Sequence, residues 1–181
     1  MKRLTVLRHA KSSWDDPVER DFDRPLNRKG LKAAQAMGAY MREHELRFDH
    51  VIASPAVRVT ETLVGVAQSY GEEFDLTEDR RVYLASNMTL VDIVHEVDGE
   101  VESLLLAGHN SGLEDLVMLL AADRKGDKLL AAVEEKYPTG ALAEIEFDAA
   151  SWADIEPGSG VLTRFVRPRD LDDELGPDEP T

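Results

Sequence analysis

The chain has 181 residues, with 21 Lys or Arg against 36 Asp or Glu, for a formal net charge of -15. That length suits one domain of about 100–200 residues, whose core can fold without a disulfide or metal staple. There is no cysteine, which excludes a disulfide scaffold, a thiolate zinc site, an iron–sulfur cluster and a cysteine nucleophile.

Residues 4–7 form an apolar run with a β-branched centre and predict a buried strand. Residues 12–27 are polar and hold Pro17 and Pro25, so they predict a loop. Asn27 is placed to cap a helix over 28–46, with an apolar stripe of Leu31, Ala34, Met37, Gly38 and Met41. A second short strand is expected at 51–53. Ser54 and Pro55 then predict the N-cap and first position of a helix running to about residue 70. A third strand is expected at 73–76 and a helix at 88–97. Residues 103–107 are the clearest buried strand. Helices follow at 112–122 and 128–136. Strands at 141–147 and 161–166 are joined through the turn Pro157-Gly158-Ser159-Gly160.

Strands alternating with helices imply an α/β domain with a mainly parallel sheet, and two consecutive strands at the end imply an antiparallel edge. One domain is expected over 1–167. Residues 168–181 carry six acids, one arginine and three prolines, which predicts a disordered acidic tail.

No apolar run approaches the ~18–20 residues that cross a bilayer. The apolar stretch at the N-terminus is too short for a signal peptide, and no lipidation motif is present, so the cytoplasm is the expected location. The net charge makes nucleic acid and anionic membrane poor partners, and a monomer is the default. The charge is uneven, however. Residues 1–32 hold nine basic and five acidic side chains, net +4, which leaves -19 for the remainder. Such an island points to a small anionic ligand in a pocket; its plain alternative is solvated surface charge.

In an open α/β sheet, ligands bind beyond the carboxyl ends of the strands. Three such ends carry Arg8-His9-Ala10-Lys11, Ser54-Pro55-Ala56-Val57-Arg58 and Gly108-His109-Asn110-Ser111-Gly112. Two histidines and two arginines can therefore converge on one rim. Arg58 falls in a first helical turn, where the dipole disfavours a cation, and functional sites carry such conflicts. Phosphoryl transfer wants this set. Arginine grips phosphoryl oxygens with paired hydrogen bonds, and a neutral imidazole is a nucleophile available near pH 7. No metal is required when side chains supply the cations. Other chemistries fit less well. The five histidines form no His-x-His or His-Glu-x-x-His pattern, and no Walker loop is present. A serine nucleophile elbow needs Ser where Asn110 stands.

Arg8-His9-Ala10-Lys11 resembles the Arg-His-Gly signature of the histidine phosphatase superfamily, which has the three-layer phosphoglycerate mutase-like fold. The Ala10-Lys11 variant, followed by Ser12-Ser13-Trp14, resembles the SixA-type phosphohistidine phosphatase branch. Asp21-Phe22-Asp23-Arg24-Pro25-Leu26-Asn27, Ser54-Pro55-x-x-Arg58-x-x-x-Thr62, Tyr83-Leu84-Ala85-Ser86 and Gly108-His109-Asn110 agree, over roughly residues 2–170. The resemblance implies a mainly parallel central sheet with an antiparallel edge, flanked by helices. It implies that His9 is the nucleophile that becomes phosphorylated. Arg8, Arg58 and His109 would form the phosphate pocket, and Lys11 would help bind phosphate or the rim of the substrate. It implies no cofactor and a phosphorylated substrate, foremost a phosphohistidine protein.

Two departures from the family matter. Ala10 stands where many members have glycine, and ordinary dihedrals are expected there. Leu84, Ala85 and Asn110 occupy the places where many members carry a carboxylic acid for an alkoxide leaving group. A leaving imidazole departs neutral once its nitrogen is protonated, so it needs less help. Asp21 and Asp23 are candidate acids or surface carboxylates. Trp14 is placed either to stack on substrate or to cover the core. The alternatives are a small-molecule phosphomonoesterase for a sugar phosphate or nucleotide, and a non-catalytic phosphate-binding module. Retention of His9 argues against the last.

Overall fold

The structure, a computed structural model, describes residues 1–18 and 20–177. The strands are β1 (Lys2–Arg8), β2 (His50–Ala53), β3 (Leu76–Glu78), β4 (Ser103–Gly108), β5 (Leu142–Phe147) and β6 (Gly160–Val166). They form one sheet in the order β3-β2-β4-β1-β5-β6. The first four are parallel, while β5 and β6 run antiparallel at one side. This is the mixed α/β sheet expected from the sequence.

Helices cover both faces. α1 (Arg28–Glu43) and α2 (Val57–Tyr70) lie over one, and α3 (Asn87–His95), α4 (Gly112–Leu120) and α5 (Lys128–Glu135) over the other. Alternation along β4 sends Leu104 and Leu106 into one core and Leu105 and Ala107 into the other. A strand covered on both faces reads as a continuous apolar run, which is why this segment stood out. Full burial of each leucine stabilises the fold by roughly 2 kcal/mol.

Glycines set two close approaches. A Cβ at Gly38 would lie 2.2 Å from the Val66 carbonyl oxygen, so α1 and α2 touch backbone to backbone there. A Cβ at Gly30 would lie 2.0 Å from the Lys11 carbonyl oxygen, which seats the first turn of α1 against the chain leaving β1. The Asn27 side chain caps α1 by accepting from the Gly30 amide at 2.8 Å.

β3 lies at Leu76–Glu78 rather than at 73–76, and three further local expectations differ. Leu31 is 43% exposed, because α1 buries Gly30, Ala33, Ala34, Met37, Gly38 and Met41 instead. The small residues let α2 approach that face. α2 begins at Val57 with Ala56 at its N-cap position and no side-chain cap, while the Ser54 hydroxyl meets both the Ala56 amide at 3.2 Å and His109 Nε2. Third, residues 168–177 are not the disordered segment expected. α6 (Pro168–Leu171) and a 3-10 turn at Asp173–Leu175 follow β6. Pro168 is buried, Leu171 and Leu175 pack on the α1-side core, and the Asp170 carboxylate accepts from the Arg167 amide at 2.9 Å. Three apolar anchors hold a segment whose acidic residues are exposed. The last part of the expected tail, residues 178–181, lies outside the described residues. No helix among the described residues is long and apolar enough to cross a membrane.

Candidate active site

Parallel register aligns the carboxyl ends of β1, β2 and β4. Arg8 pairs with Gly108, and Ala53 pairs with Ala107. The ladder continues one step further. The His9 amide donates to the Gly108 carbonyl at 3.0 Å, and the Ser54 amide to the Ala107 carbonyl at 3.1 Å. His9, Ser54 and His109 therefore leave the sheet side by side.

His9 is buried, and its Nδ1 lies 2.7 Å from the Ala10 carbonyl oxygen. That acceptor assigns the proton to Nδ1 and leaves Nε2 as the basic nitrogen. Burial, aided by the neighbouring His109, Arg8 and Arg58, pushes the His9 pKa down to about 3 against the Ala10 hydrogen bond. The ring is neutral at physiological pH. Ala10 has no positive φ, so alanine sits there without backbone strain, as expected. Its amide donates to Thr62 Oγ1 at 2.9 Å, and that hydroxyl donates to the Arg58 carbonyl at 2.6 Å. One threonine thus ties the His9 segment to the first turn of α2.

Arg8 and Arg58 stand beside the two histidines. Arg8 Nη1 donates to the Tyr137 carbonyl at 2.9 Å. Burial pushes the Arg8 pKa down, with Glu114 opposing. Arg58 Nη1 donates to the Asp21 carbonyl at 2.8 Å and Nη2 to Asp21 Oδ2 at 2.9 Å. Each arginine also keeps a buried Nε–H with no protein acceptor. Unpaired buried donors favour an anion nearby.

His109 is buried 5.4 Å from His9, ring centroid to centroid. Arg58 Nη2 lies 3.3 Å from its Nδ1, and its Nε2 lies 2.8 Å from Ser54 Oγ. A guanidinium only donates, so Nδ1 accepts and the proton belongs on Nε2, which donates to Ser54. Burial, followed by the Arg58 charge, pushes the His109 pKa down to about 4. This ring, too, is neutral.

Asp21, expected as a candidate acid or a surface carboxylate, joins the site together with Tyr83 and Arg24. Asp21 Oδ2 accepts from Tyr83 Oη at 2.7 Å as well as from Arg58, and Oδ1 accepts from Arg24 Nη2 at 3.1 Å. Burial would raise its pKa, but the hydrogen bonds from Tyr83, Arg24 and Arg58 outweigh it and hold the carboxyl at about 2. Asp21 is therefore an ionised acceptor, not a stored proton. Asp23 pairs with Arg20 at 2.9 Å and does not line the cavity. Arg24 is buried, donates to Ser12 Oγ, and lies 3.7 Å from the Trp14 ring centroid. Trp14 is 80% exposed, so it does not cover the core. Nothing in the spacing of Arg20, Arg24 and Arg28 marks the middle one as buried; only the folded loop does.

A cavity of about 830 Å3 gathers these groups, with Arg8, His9, Lys11, Arg24, Arg58 and His109 in its wall. Seven of its lining side chains are Lys or Arg, and the single lining carboxylate among the described residues is Asp21. The basic island of the sequence is thus concentrated in a cleft of an acidic protein.

Residues 4–81 match the model of the histidine phosphatase superfamily, branch 1. A Mycobacterium tuberculosis protein of uncharacterised function is 33% identical over 164 residues, covering 90% of this chain and 100% of its own. The chain belongs to the histidine phosphatase superfamily. Within it the chain is SixA-type. The SixA protein of Agrobacterium tumefaciens is 28% identical with a TM-score of 0.74, over 92% of this chain and 97% of that one. The SixA structure from Nakamurella multipartitia has a TM-score of 0.81 at 22% identity, over 92% and 96% of the two chains, and shares the fold. As a histidine phosphatase, the protein is a hydrolase of the metal-independent type.

Proposed function

We propose that this phosphatase works through a covalent phosphoryl group on His9 and that its substrate is phosphohistidine on a protein. The observation that carries the reading is a neutral His9, with its proton on Nδ1, set between Arg8, Arg58 and His109. His9 Nε2 attacks phosphorus while the bond from phosphorus to the substrate nitrogen breaks. The electron pair stays on the substrate ring, which departs as neutral imidazole because its other nitrogen already carries a proton. Nδ1–H of His9 remains on the Ala10 carbonyl and keeps the phosphorylated ring in place. Water then attacks phosphorus, the bond to Nε2 breaks, and phosphate leaves with the protons of that water.

Arg8, Arg24 and Arg58 supply fixed positive charge for the equatorial oxygens, and Lys11 adds to it from the cavity wall. Fixed charge of this kind is the main device available for phosphoryl transfer. His109 donates once it takes up a proton as the dianion binds. Ser54, Thr62 and Asp21 are positioning residues. They hold the His109 ring, the His9 segment and the Arg58 guanidinium.

The choice of leaving group rests on Asp21. An alkoxide needs a proton donor, and the one cavity carboxyl among the described residues is held near a pKa of about 2. A protonated phosphohistidine ring needs none. The SixA likeness supports the same choice, since the Agrobacterium tumefaciens protein carries the name of a phosphohistidine phosphatase.

The test is a substrate panel in EDTA, with His9→Ala alongside. It holds a phosphohistidine peptide, p-nitrophenyl phosphate, sugar phosphates and nucleotides. Fast hydrolysis of the phosphohistidine peptide that depends on His9 is expected. Preference for a sugar phosphate or nucleotide would overturn the substrate while keeping the nucleophile.

A further inference from the structure

The cavity is wider than a phosphoryl group requires. A volume of about 830 Å3 lies within the range that takes a whole small ligand or several side chains. The groups around His9 account for one end of it. Arg58, Ser54 and His109 follow β2 and β4, and Arg8 and His9 end β1. The wall continues past them along the same rim of the sheet. Because β5 and β6 are antiparallel, Leu142 at the start of β5 faces Leu7, and Val166 at the end of β6 faces Leu142. The residues entering β5 and leaving β6 therefore emerge beside His9. They are Lys136, Pro138 and Thr139 on one side, and Pro168 and Arg169 on the other, and all line the cavity.

The charges on this side are distinctive. Arg169 is half-buried and Lys136 exposed. Among the described residues, the side chain of neither has a hydrogen bond or ion pair. The carboxylate next to Arg169, Asp170, is taken by Arg167, which it meets at 2.9 Å through Nη2 and 3.0 Å through Nε. Asp21, the one lining carboxylate among the described residues, sits on Arg58 and Arg24. The backbone that presents Arg169 is fixed. Pro168 packs where a Cβ at Gly140 would come within 2.8 Å of its ring, and Gly140 itself donates to the His9 carbonyl at 2.9 Å. Lys29 of α1 donates to the Gly176 carbonyl and pins the end of the segment. Pairing a half-buried guanidinium with an anion here would add a charge-assisted bond at no cost in reorganising the wall.

We propose that the cavity holds a second anion subsite, formed by Arg169 and Lys136, that takes a carboxylate on the leaving-group side of the substrate. It lies about two strand spacings from His9, on the order of 10 Å. The inference rests on the phosphoryl site described above. On a phosphohistidine protein, the carboxylate is an Asp or Glu near the modified histidine. In a small substrate it is a carboxylate of the same molecule.

Calorimetric binding to the wild-type protein tests the subsite without relying on turnover. The probes are phosphonoacetate, too short to span two strands, a long ω-phosphonoalkanoate that reaches about 10 Å, and the amide of the long probe. The long carboxylate is expected to bind at least tenfold tighter than its amide, and the R169Q/K136Q variant to abolish that difference. Equal affinity of carboxylate and amide, or a difference that survives R169Q/K136Q, would overturn the proposal. Two phosphohistidine peptides, one acid-flanked and one neutral, identify the source. Faster turnover of the acidic peptide, lost in R169Q/K136Q, assigns the carboxylate to a protein. If neither peptide is hydrolysed but the long carboxylate keeps its advantage, the subsite stands and the protein-substrate reading fails.

Discussion

Asp21 holds Arg58 through two separate acceptors, its backbone carbonyl at 2.8 Å and its Oδ2 at 2.9 Å. The carboxylate expected as a candidate proton donor instead fixes the guanidinium that is proposed to bind phosphate. Asp21→Asn therefore loosens Arg58 and is expected to lower kcat/KM by roughly tenfold to a hundredfold, less than loss of a transition-state donor itself. The discriminating readout is leaving-group dependence. A positioning role lowers p-nitrophenyl phosphate and alkyl phosphate turnover by the same factor. A much larger loss on the alkyl ester would identify Asp21 as a general acid.

Under the proposed mechanism, His109 is expected to gain a proton when the site fills. Its pKa of about 4 in the empty site reflects burial and then the Arg58 charge, and a phosphate dianion offsets both. Calorimetry of sulfate binding near pH 6, where that dianion carries no proton of its own, in buffers of different ionisation enthalpy should show uptake of close to one proton. His109→Gln should abolish the uptake. Binding with no buffer dependence would mean that His109 stays neutral throughout.

The same shifts make stability depend on pH. His9 and His109 titrate at about 3 and about 4 in the folded chain, below the histidine value of 6.5. The unfolded chain therefore binds more protons in that window, and stability rises with pH there. Their contribution is complete above about pH 6.5 and is lost as pH falls toward 4 and then 3. Asp21, held at about 2, loses its contribution only below the carboxylate value of 3.8. Urea melts should show stability falling between about pH 6 and pH 4, with a shallower fall in His9→Gln. Equal slopes in the two proteins would contradict the assignment of a buried neutral His9.

The two tryptophans separate function from packing. Trp152 is fully buried, and its Nε1 donates to the Val101 carbonyl at 2.6 Å, whereas Trp14 is 80% exposed over Arg24. Trp152→Ala should cost about 3–5 kcal/mol of stability. Trp14→Ala should leave the thermal midpoint nearly unchanged and alter only substrate kinetics. A large loss of stability on removing Trp14 would place it in the core after all.

The strands that build the site were legible because their chemistry is local. The short run over Leu104, Leu105, Leu106 and Ala107 reads as a strand buried on both faces, and all four residues are buried. Its carboxyl end then fixes where His109 must emerge. Arg8, His9, Arg58 and His109 come together because three parallel strands end in register. The supporting shell was not legible. Arg24 and Asp21 lie in a polar loop whose charges look alike until the loop folds over Trp14. Ser54 read as a helix cap because capping and ring positioning ask for the same hydroxyl. The C-terminal segment was misjudged because composition weighed its acids above Pro168, Leu171 and Leu175.

The nucleophile is the centre of the account, and a phosphoenzyme trap tests it most directly. The enzyme is mixed with a radiolabelled phosphohistidine peptide, quenched within milliseconds and digested for mapping. A phosphoryl adduct on His9 is predicted, labile to acid, stable to base, formed no slower than turnover and absent from His9→Ala. An adduct on any other residue, or full turnover by His9→Ala without an adduct, would contradict it.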